Sequence, residues 1–307
     1  MAIDPVVLVI GDTNPDLVLR GSSGPTFGQA ERLLDAADLV LGGSAAIMAC
    51  GLARLGVPTA IVGLVGDDLM GGFVRTALEE RGVDTRWLGT DPVQPTALTV
   101  VISAGDRAIL THPGALSTTT AAAVPDLDRL PSLRHVHAAS YFLLPMLAPD
   151  LPGIFRHARE LGLTTSLDTN WDPAERWSGV ERVLPHVGTL LPNAVELAAL
   201  TGEQDVDTAA SSVTAVGCAV ALKDGAEGGV LWTADGSRLT APGIAVEVVD
   251  TTGAGDSFDA GFVSGLVEGL SPQECLERAV ACGSLSTRAA GGTAAQATPD
   301  ELAEVGS

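Results

Sequence analysis

The sequence is poor in positive charge. Its 307 residues include 17 Lys and Arg against 38 Asp and Glu, which gives a formal net charge of −21, and Lys223 is the single lysine. Nucleic-acid phosphates and anionic membranes both attract basic surfaces, so this balance argues against nucleic acid and membranes as partners. If such a chain binds an anionic ligand, it has to do so with backbone N–H groups, a helix N-terminus or a metal ion.

Cysteine is scarce too. The four cysteines, Cys50, Cys218, Cys275 and Cys282, form no CxxC pair and have no histidine at zinc-ligand spacing. This pattern argues against a zinc site. We interpret the cysteines as buried small side chains in a reducing compartment, which predicts a cytoplasmic protein.

Long apolar runs and aromatic residues are also missing. No run reaches transmembrane length without Gly, Pro or charge, and the start, MAIDPVVLVIGD, predicts a first strand rather than a signal peptide. Aromatic residues make up 4% of the chain and hydrophobic residues 46%, so Ala, Val and Leu have to fill the core. That composition fits helices packed on a parallel sheet.

The pattern of apolar residues predicts alternating strands and helices. Short β-branched runs that stop at Gly, Asp or Asn predict strands at Val6–Ile10, Ala60–Val65, Leu98–Ile102, His135–Ala138, Leu163–Leu167, Thr189–Leu191, Ala219–Leu222 and Val230–Thr233. Helices are expected at Ala45–Leu55, Met70–Arg81, Pro149–Leu161, Ala194–Thr201, Thr208–Val216, Ser257–Gly269 and Pro272–Ala289. From Leu133 onward the alternation is typical of a parallel sheet with crossover helices.

Two segments depart from this alternation. Asp16–Arg20 and Leu98–Leu110 are strand-like but are flanked by turns, so they predict a small sheet that stands off the main body. We therefore expect one α/β domain over residues 1–307, with lid segments around residues 12–22 and 95–112.

The motif with the clearest chemistry is DTTGAGDSFDAG, from Asp250 to Gly261. The glycines let backbone N–H groups approach a ligand at a helix start, which suits an anion such as a transferring phosphoryl group. A carboxylate at the edge of that site, Asp256, is placed to accept a proton from an attacking hydroxyl. A glycine-rich turn capped by an Asp is the alternative interpretation of the shorter GAGD string.

Taken with three further motifs, this string resembles the signature of the ribokinase-like, or PfkB, carbohydrate kinases. GGSAA from Gly42 with GLARLG from Gly51 resembles the family's N-terminal signature, GLVGDD from Gly63 follows at the usual place, and Asn193-Ala194-Val195-Glu196 resembles its NxxE motif. The resemblance runs from Gly11 to about Gln296. It implies a three-layer sandwich with a mainly parallel central sheet and a small β lid, and an enzyme that uses ATP and Mg²⁺.

The resemblance also assigns roles to residues. Asp256 becomes the catalytic base, and the amides of Gly253, Ala254 and Gly255 the anion hole. Asn193 and Glu196 would organise ATP and, through water, Mg²⁺, although the same spacing is a helix capping box. Further ATP contacts are expected from Lys223, Gly225 and Gly228, with a solvated turn as the alternative for Lys223.

The acceptor and a monovalent cation have implied sites as well. Substrate contacts are expected from Asn14, Asp16, Gly42, Gly43 and Asn170, because amides and carboxylates pair with adjacent hydroxyls. For Asp16 and Asn170 plain turns are the alternatives. The pair Asp250 and Thr252 matches residues that hold K⁺ in many members.

Three positions depart from the family pattern. Ile47 stands where an Asn normally contacts substrate, Ser44 where ribokinases typically have Lys, and Val280 near a position that is often polar beside the adenine. The sequence therefore predicts the chemistry better than the acceptor. We expect ATP-dependent phosphorylation of a hydroxyl group on a small sugar-like molecule. The reacting hydroxyl is expected to be a primary one. A nucleoside kinase and a non-catalytic sugar-binding protein are the alternatives, and a homodimer through the lid is the expected assembly.

Overall fold

The computed structural model of the chain describes residues 4–21, 24–25, 27–28, 31–104 and 107–305. Positions 22, 105 and 106 of the expected lid segments lie outside these residues. Thirteen strands are present among the described residues: β1 (Val7–Ile10), β2 (Asn14–Arg20), β3 (Ala36–Gly42), β4 (Thr59–Gly66), β5 (Asp84–Asp91), β6 (Leu98–Ser103), β7 (Arg107–His112), β8 (His135–Ala139), β9 (Thr164–Asp168), β10 (Thr189–Leu190), β11 (Ala219–Lys223), β12 (Gly228–Trp232) and β13 (Arg238–Pro242).

Eight α-helices accompany the strands over the same residues. They are α1 (Ser44–Arg54), α2 (Leu69–Glu80), α3 (Leu151–Glu160), α4 (Ala194–Thr201), α5 (Val206–Thr214), α6 (Ala254–Glu268), α7 (Pro272–Ser286) and α8 (Pro299–Val305). Short 3₁₀ turns connect several of these elements.

Nine strands form the main sheet, in the order β13-β12-β11-β10-β9-β8-β1-β4-β5. The strands from β11 to β5 pair in parallel, and only β12 and β13 pair antiparallel. Parallel strands present their carboxyl ends at one edge, where α/β proteins bind ligands. The loops that follow β1, β8, β9, β10 and β11 therefore meet along that edge.

Helices cover both faces of this sheet. Along β1 the side chains alternate, since Leu8 and Ile10 belong to one hydrophobic cluster and Val7 and Val9 to another. The first cluster includes side chains from α3, α4 and α5, and the second from α1, α2 and α6. This arrangement confirms the predicted three-layer α/β fold.

The remaining four strands form a separate sheet, in the order β3-β2-β6-β7. Its β2 strand contains the predicted segment Asp16–Arg20, and the predicted segment Leu98–Leu110 begins in β6 and ends in β7. Strand β3 was not predicted from the sequence. Asn14, at the start of β2, and Gly42, at the end of β3, are paired across the two strands. Asn14 follows the carboxyl end of β1, at Ile10, by four residues, and Gly42 precedes the start of α1, at Ser44, by two residues. Both residues are therefore connected by short segments to the main body of the fold.

Candidate active site

Helix α6 begins inside the glycine-rich motif. Gly253 precedes it with a φ of 73°, in the left-handed region that glycine adopts without steric cost. A Cβ on Gly253 would lie 2.6 Å from the Cα of Gly292, so a larger residue does not fit. The helix starts at Ala254, earlier than predicted, which places Asp256 in its first turn rather than at its cap. The N–H groups of a first turn have no intrahelical acceptor and favour an anion.

The Asp256 carboxyl lies in an electrostatic environment suited to proton transfer. Burial raises its pKa to about 7, the carboxylates of Asp168 and Asp12 add to the rise, and the Lys223 ammonium and Ser44 hydroxyl oppose it. A carboxyl that titrates near neutral pH can take and return a proton under working conditions.

Lys223, at the end of β11, bridges two buried aspartates. Its Nζ lies 2.6 Å from Oδ2 of Asp168 on β9 and 2.9 Å from Oδ1 of Asp259 on α6. Although burial opposes it, the ammonium holds the pKa of Asp168 below its usual value. Burial raises the pKa of Asp259 well above its usual value, against the effect of Lys223. Sequence analysis gave neither aspartate a site role, although Asp259 lies in the glycine-rich motif and Asp168 lies two residues before Asn170.

A cavity of about 520 Å³ adjoins the start of α6. It is lined by the predicted residues Lys223, Gly225, Gly228, Ala254 and Gly255, and also by Ala226, Gly243, Ile244, Ala245, Val246, Val248, Thr251, Phe258, Val280, Gly283, Ser284 and Thr287. Its size falls within the range of small-molecule sites, and its walls are mostly apolar. The predicted phosphate loop and an apolar chamber are thus continuous. Apart from Val280, most of the apolar wall was missed because its small residues carry no motif.

Gly228 is required by its surroundings. It has a φ of 104°, and a Cβ there would lie 2.1 Å from the carbonyl oxygen of Ala241. Gly225 has a φ of 55° with open space around it, so only its backbone conformation favours glycine. Gly225 lies in the turn between β11 and β12, and Gly228 is the first residue of β12.

Asn193 and Glu196 lie at the start of α4. Glu196 is buried, and burial together with Asp168 raises its pKa to about 7. The three carboxylates of Asp168, Asp256 and Asp259 offer oxygen atoms within 4.8 Å of one another. Carboxylate oxygens are ligands that Mg²⁺ prefers. Lys223 already contacts two of these three carboxylates, those of Asp168 and Asp259.

The predicted acceptor residues at the lid form one buried polar cluster. The Asn14 side-chain amide donates to Oδ1 of Asp16 at 2.9 Å and to the hydroxyl of Thr99 at 3.2 Å. Gly42 packs directly on Asp16, because a Cβ there would lie 2.1 Å from the carboxylate. The structure thus brings three of the predicted acceptor residues together.

Asp12 holds the start of α1 beside this cluster. Its two carboxylate oxygens accept the N–H groups of Ser44 and Ala45 at 3.0 Å each. Gly43, the fourth predicted lid-side residue, has a φ of 83°, and a Cβ there would lie 2.6 Å from the Asp12 carbonyl oxygen. Ile47 of the same helix is buried and packs on Gly253 and Gly292, so it fills space under the glycine-rich loop.

Asn170 follows β9 in a left-handed conformation, with a φ of 53°. Its N–H donates to Oδ1 of Asp168 at 3.0 Å, and its side chain donates to the hydroxyl of Ser140 at 3.0 Å. Ser140 is left-handed too, with a φ of 55°. Two non-glycine residues in this conformation at one sheet edge are uncommon and often mark functional sites.

Asp250 and Thr252 form a small turn before the glycine-rich loop Gly253–Gly255. Oδ1 of Asp250 accepts the Thr252 N–H at 3.0 Å and its hydroxyl at 2.8 Å, and Oδ2 accepts the N–H of Gly291 at 3.0 Å. The pair predicted for a monovalent cation therefore ties the loop to the segment after α7.

All four cysteines are buried and unbonded, as predicted. No helix among the described residues combines the length and the hydrophobicity that crossing a lipid bilayer requires.

Comparison with known proteins decides the family. The pattern of the pfkB family of carbohydrate kinases matches residues 5–299. The chain belongs to the pfkB family. This pfkB chain is 33% identical over 302 residues to the ATP-dependent ribose-1-phosphate kinase of Halopiger xanaduensis, covering 97% of this chain and 96% of that one.

Solved structures agree in fold with this pfkB protein. Arabidopsis thaliana ribokinase with ribose and ATP superimposes with a TM-score of 0.85 at 26% identity, over 99% of each chain. A candidate ribokinase II of E. coli with ATP and Mg²⁺ superimposes with a TM-score of 0.86 at 24% identity, over 98% of each chain. The wider set of relatives includes sugar kinases and nucleoside kinases.

Proposed function

We propose that this pfkB carbohydrate kinase transfers the γ-phosphoryl group of ATP to a primary hydroxyl of a small sugar or sugar-like molecule, with Asp256 as general base. The proposal depends most on one observation: Asp256, with a pKa of about 7, lies in the first turn of α6 directly after Ala254 and Gly255, which line the cavity. It takes the hydroxyl proton as the new O–P bond forms and the bond from γ-phosphorus to the leaving ADP oxygen breaks.

The nucleotide is assigned to the 520 Å³ cavity. Gly253, Ala254 and Gly255 supply N–H groups toward the transferring phosphoryl group, and Gly225 and Gly228 let the chain pass close to the nucleotide. The apolar wall around Val246, Val248 and Val280 suits the faces of a purine base. An acidic protein thereby binds an anion with dipoles rather than with surface lysines.

Mg²⁺ is assigned to Asn193 and Glu196, through water. The supporting observation is that Glu196 is a buried carboxyl, and that burial together with Asp168 raises its pKa to about 7. When bound, the ion neutralises charge on the phosphoryl oxygens. Asp250 and Thr252 are our candidates for a K⁺ site, in support of which Asp250 already orders the loop.

The acceptor is assigned to the space between the small sheet and the carboxyl edge of the main sheet. Asn14 and Asp16 offer paired donors and acceptors, Gly42 and Gly43 allow close approach, and Asn170 closes the far side. In this proposal residues 1–307 form one kinase domain, with the small sheet as a lid that shields the reaction from water.

A nucleoside as acceptor is the second candidate. Trp171, about half exposed, follows Asn170 and contacts Trp177 edge-on, with ring centroids 5.1 Å apart. An aromatic pair next to the acceptor site is suited to stacking against a base. The intact phosphate loop and Asp256 speak against a non-catalytic sugar-binding protein.

The deciding experiment measures ADP formation from ATP and Mg²⁺ across aldoses, ketoses, sugar acids, sugar phosphates and nucleosides. We expect one acceptor class to support turnover and Asp256→Asn to lower its kcat by about 10²–10⁴. Near-normal turnover by Asp256→Asn would exclude the base assignment. Acceptor binding without ADP formation across the panel would favour the non-catalytic alternative. We further propose a homodimer through the lid and a cytoplasmic location, the latter supported by four buried, unbonded cysteines.

A further inference from the structure

The single lysine of this chain is not on the surface. The Lys223 side chain is 14% exposed, and its partners Asp168 and Asp259 are 3% and 2% exposed. Lysine and aspartate are almost never buried to this degree unless they are paired, because taking a charge out of water is costly. The cluster is therefore a built feature of the interior.

The cluster connects three parts of the site. Asp168 ends β9, Lys223 ends β11, and Asp259 lies one turn after Asp256 on α6. A Cβ on Gly255 would lie 3.4 Å from Cδ and 3.5 Å from Nζ of Lys223, so the lysine packs against the phosphate loop. The ammonium thus joins the sheet edge to the helix start that carries the base.

The same lysine occupies a place that would otherwise suit a metal ion. The oxygens of Asp168, Asp256 and Asp259 lie within 4.8 Å of one another, a spacing compatible with one cation between them. The Lys223 ammonium is a cation fixed to the chain, and it contacts two of the three.

We propose that Lys223 is a positioning residue of the phosphoryl-transfer site: its ammonium holds the start of α6 against the carboxyl edge of the sheet and acts as the internal counter-ion of Asp256. This inference rests on the proposed function. It differs from the sequence-based expectation that Lys223 contacts the ATP phosphates, because here the ammonium is already held by Asp168 and Asp259.

The charges around Asp256 determine in which direction each substitution should shift its pKa. The charged and titratable groups that face Asp256 or belong to its network are Lys223 on β11, Asp168 on β9, Asp12 after β1, Asp259 on α6, Glu196 on α4 and His137 on β8. His137 is neutral, because burial lowers its pKa to about 3. Lys223 lowers the pKa of Asp256 and Asp168 raises it. Removing Lys223 should therefore raise the pKa of Asp256, and removing the charge of Asp168 should lower it.

The test compares pH profiles of kcat/KM at saturating Mg²⁺ for Lys223→Met and Asp168→Asn. We expect the acidic limb of Lys223→Met to move to higher pH by about one unit, with activity at neutral pH down about tenfold. The limb of Asp168→Asn should move to lower pH. Lys223→Arg keeps the charge and should leave the limb close to that of the unmodified enzyme. If both charge-removing variants lose activity with the limb unmoved, or moved the same way, Lys223 is merely structural and the proposal is wrong.

A second measurement does not depend on turnover. Because the chain has one lysine, ¹⁵N-lysine labelling gives a single Nζ signal that reports this site alone. Burial opposes the shift, but Asp168, Asp259 and Glu196 together raise the pKa of Lys223 above its usual value. We therefore expect the ammonium to stay protonated above about pH 10.5, and to titrate at lower pH in Asp168→Asn. An ammonium that titrates at its ordinary pKa overturns the inference even if no acceptor is found. If instead the Lys223 ammonium stays protonated but no acceptor in the panel supports turnover, the proposed function is wrong and the pairing of Lys223 stands.

Discussion

Asn193 and Glu196 cap each other across the first turn of α4. Oδ1 of Asn193 accepts the Glu196 N–H at 2.9 Å, and Oε2 of Glu196 accepts the Asn193 N–H at 3.0 Å. The two interpretations of the Asn-x-x-Glu motif are therefore compatible, because one Glu196 oxygen is used by the cap and the carboxylate still carries charge toward the site. A variant that keeps the cap and removes the charge separates them.

Glu196→Gln is that variant. Its side-chain oxygen still accepts the Asn193 N–H, and burial has raised the pKa of the carboxyl that it replaces to about 7, so the unfolding temperature should be unchanged or higher. The Mg²⁺ concentration needed for half-maximal activity should rise about tenfold, as for loss of an outer-shell ligand. Glu196→Ala should show the same rise, and its free energy of unfolding should be about 0.5–1.5 kcal/mol lower than that of Glu196→Gln, because one hydrogen bond of the capping box is lost. An unchanged Mg²⁺ requirement in Glu196→Gln would leave only the capping role.

The pKa of Asp256 predicts how activity depends on pH. The base accepts a proton only when ionised, and its folded-state pKa is about 7. We therefore expect kcat/KM to rise with pH through about 7 and to level off above it. A profile that is flat from pH 5.5 to 8 would contradict the assignment of the base or its environment.

The same raised pKa predicts a stability effect. Asp256 has a folded-state pKa of about 7 against an ordinary value of 3.8, so its ionisation opposes folding from about pH 4 upward and fully above about pH 7. Asp256→Asn removes this penalty, so it should raise the free energy of unfolding more at pH 8 than at pH 5. Denaturant titrations at the two values measure the difference. A larger gain at pH 5 would show that the carboxyl is not desolvated in the folded protein.

Gly42 offers a way to move Asp16 without changing it. A Cβ at position 42 would lie 2.1 Å from the Asp16 carboxylate, so Gly42→Ala should rotate that side chain and break its hydrogen bond with Asn14. We expect the KM for the acceptor to rise about tenfold or more while the KM for ATP stays constant. Gly72→Ala, on an exposed helix position with open space around it, is the matched control and should change neither constant. A rise in the ATP constant alone would contradict the acceptor assignment.

Much of the main sheet could be predicted from sequence because its strands are buried on both faces and therefore read as short β-branched runs. β5 and β13, at the edges of the main sheet, were missed because they mix polar with apolar residues, as in Asp84–Asp91. β3 was missed because its apolar run, Leu39–Leu41, is only three residues long. The start of α6 was placed too late because a left-handed Gly253 caps it without any side-chain signal.

Some residues of the candidate site could likewise be predicted from the sequence, and others could not. The glycine-rich loop and Asp256 could be found because a motif fixes their spacing along the chain. The pairing of Lys223 with Asp168 and Asp259 joins residues 55 and 36 positions apart, and no local pattern encodes a contact made by three separate elements. Ile47 illustrates a departure that sequence could flag but not explain, since its packing on Gly253 and Gly292 is visible only in three dimensions.

Exposed apolar residues on one face of the small sheet predict a homodimer interface there. By strand register, Leu17, Leu39, Val100 and Leu110 share the face opposite to that of Asp16 and Thr99, and Leu39 and Leu110 are 40% and 60% exposed. An apolar sheet face of this kind is typical of an interface. Leu110→Lys should therefore convert a dimer into monomers in analytical ultracentrifugation. Ile109→Lys, on the same strand but the other face and equally exposed at 61%, should leave the dimer intact. A monomeric unmodified chain, or equal dissociation in both variants, would contradict an interface on this face.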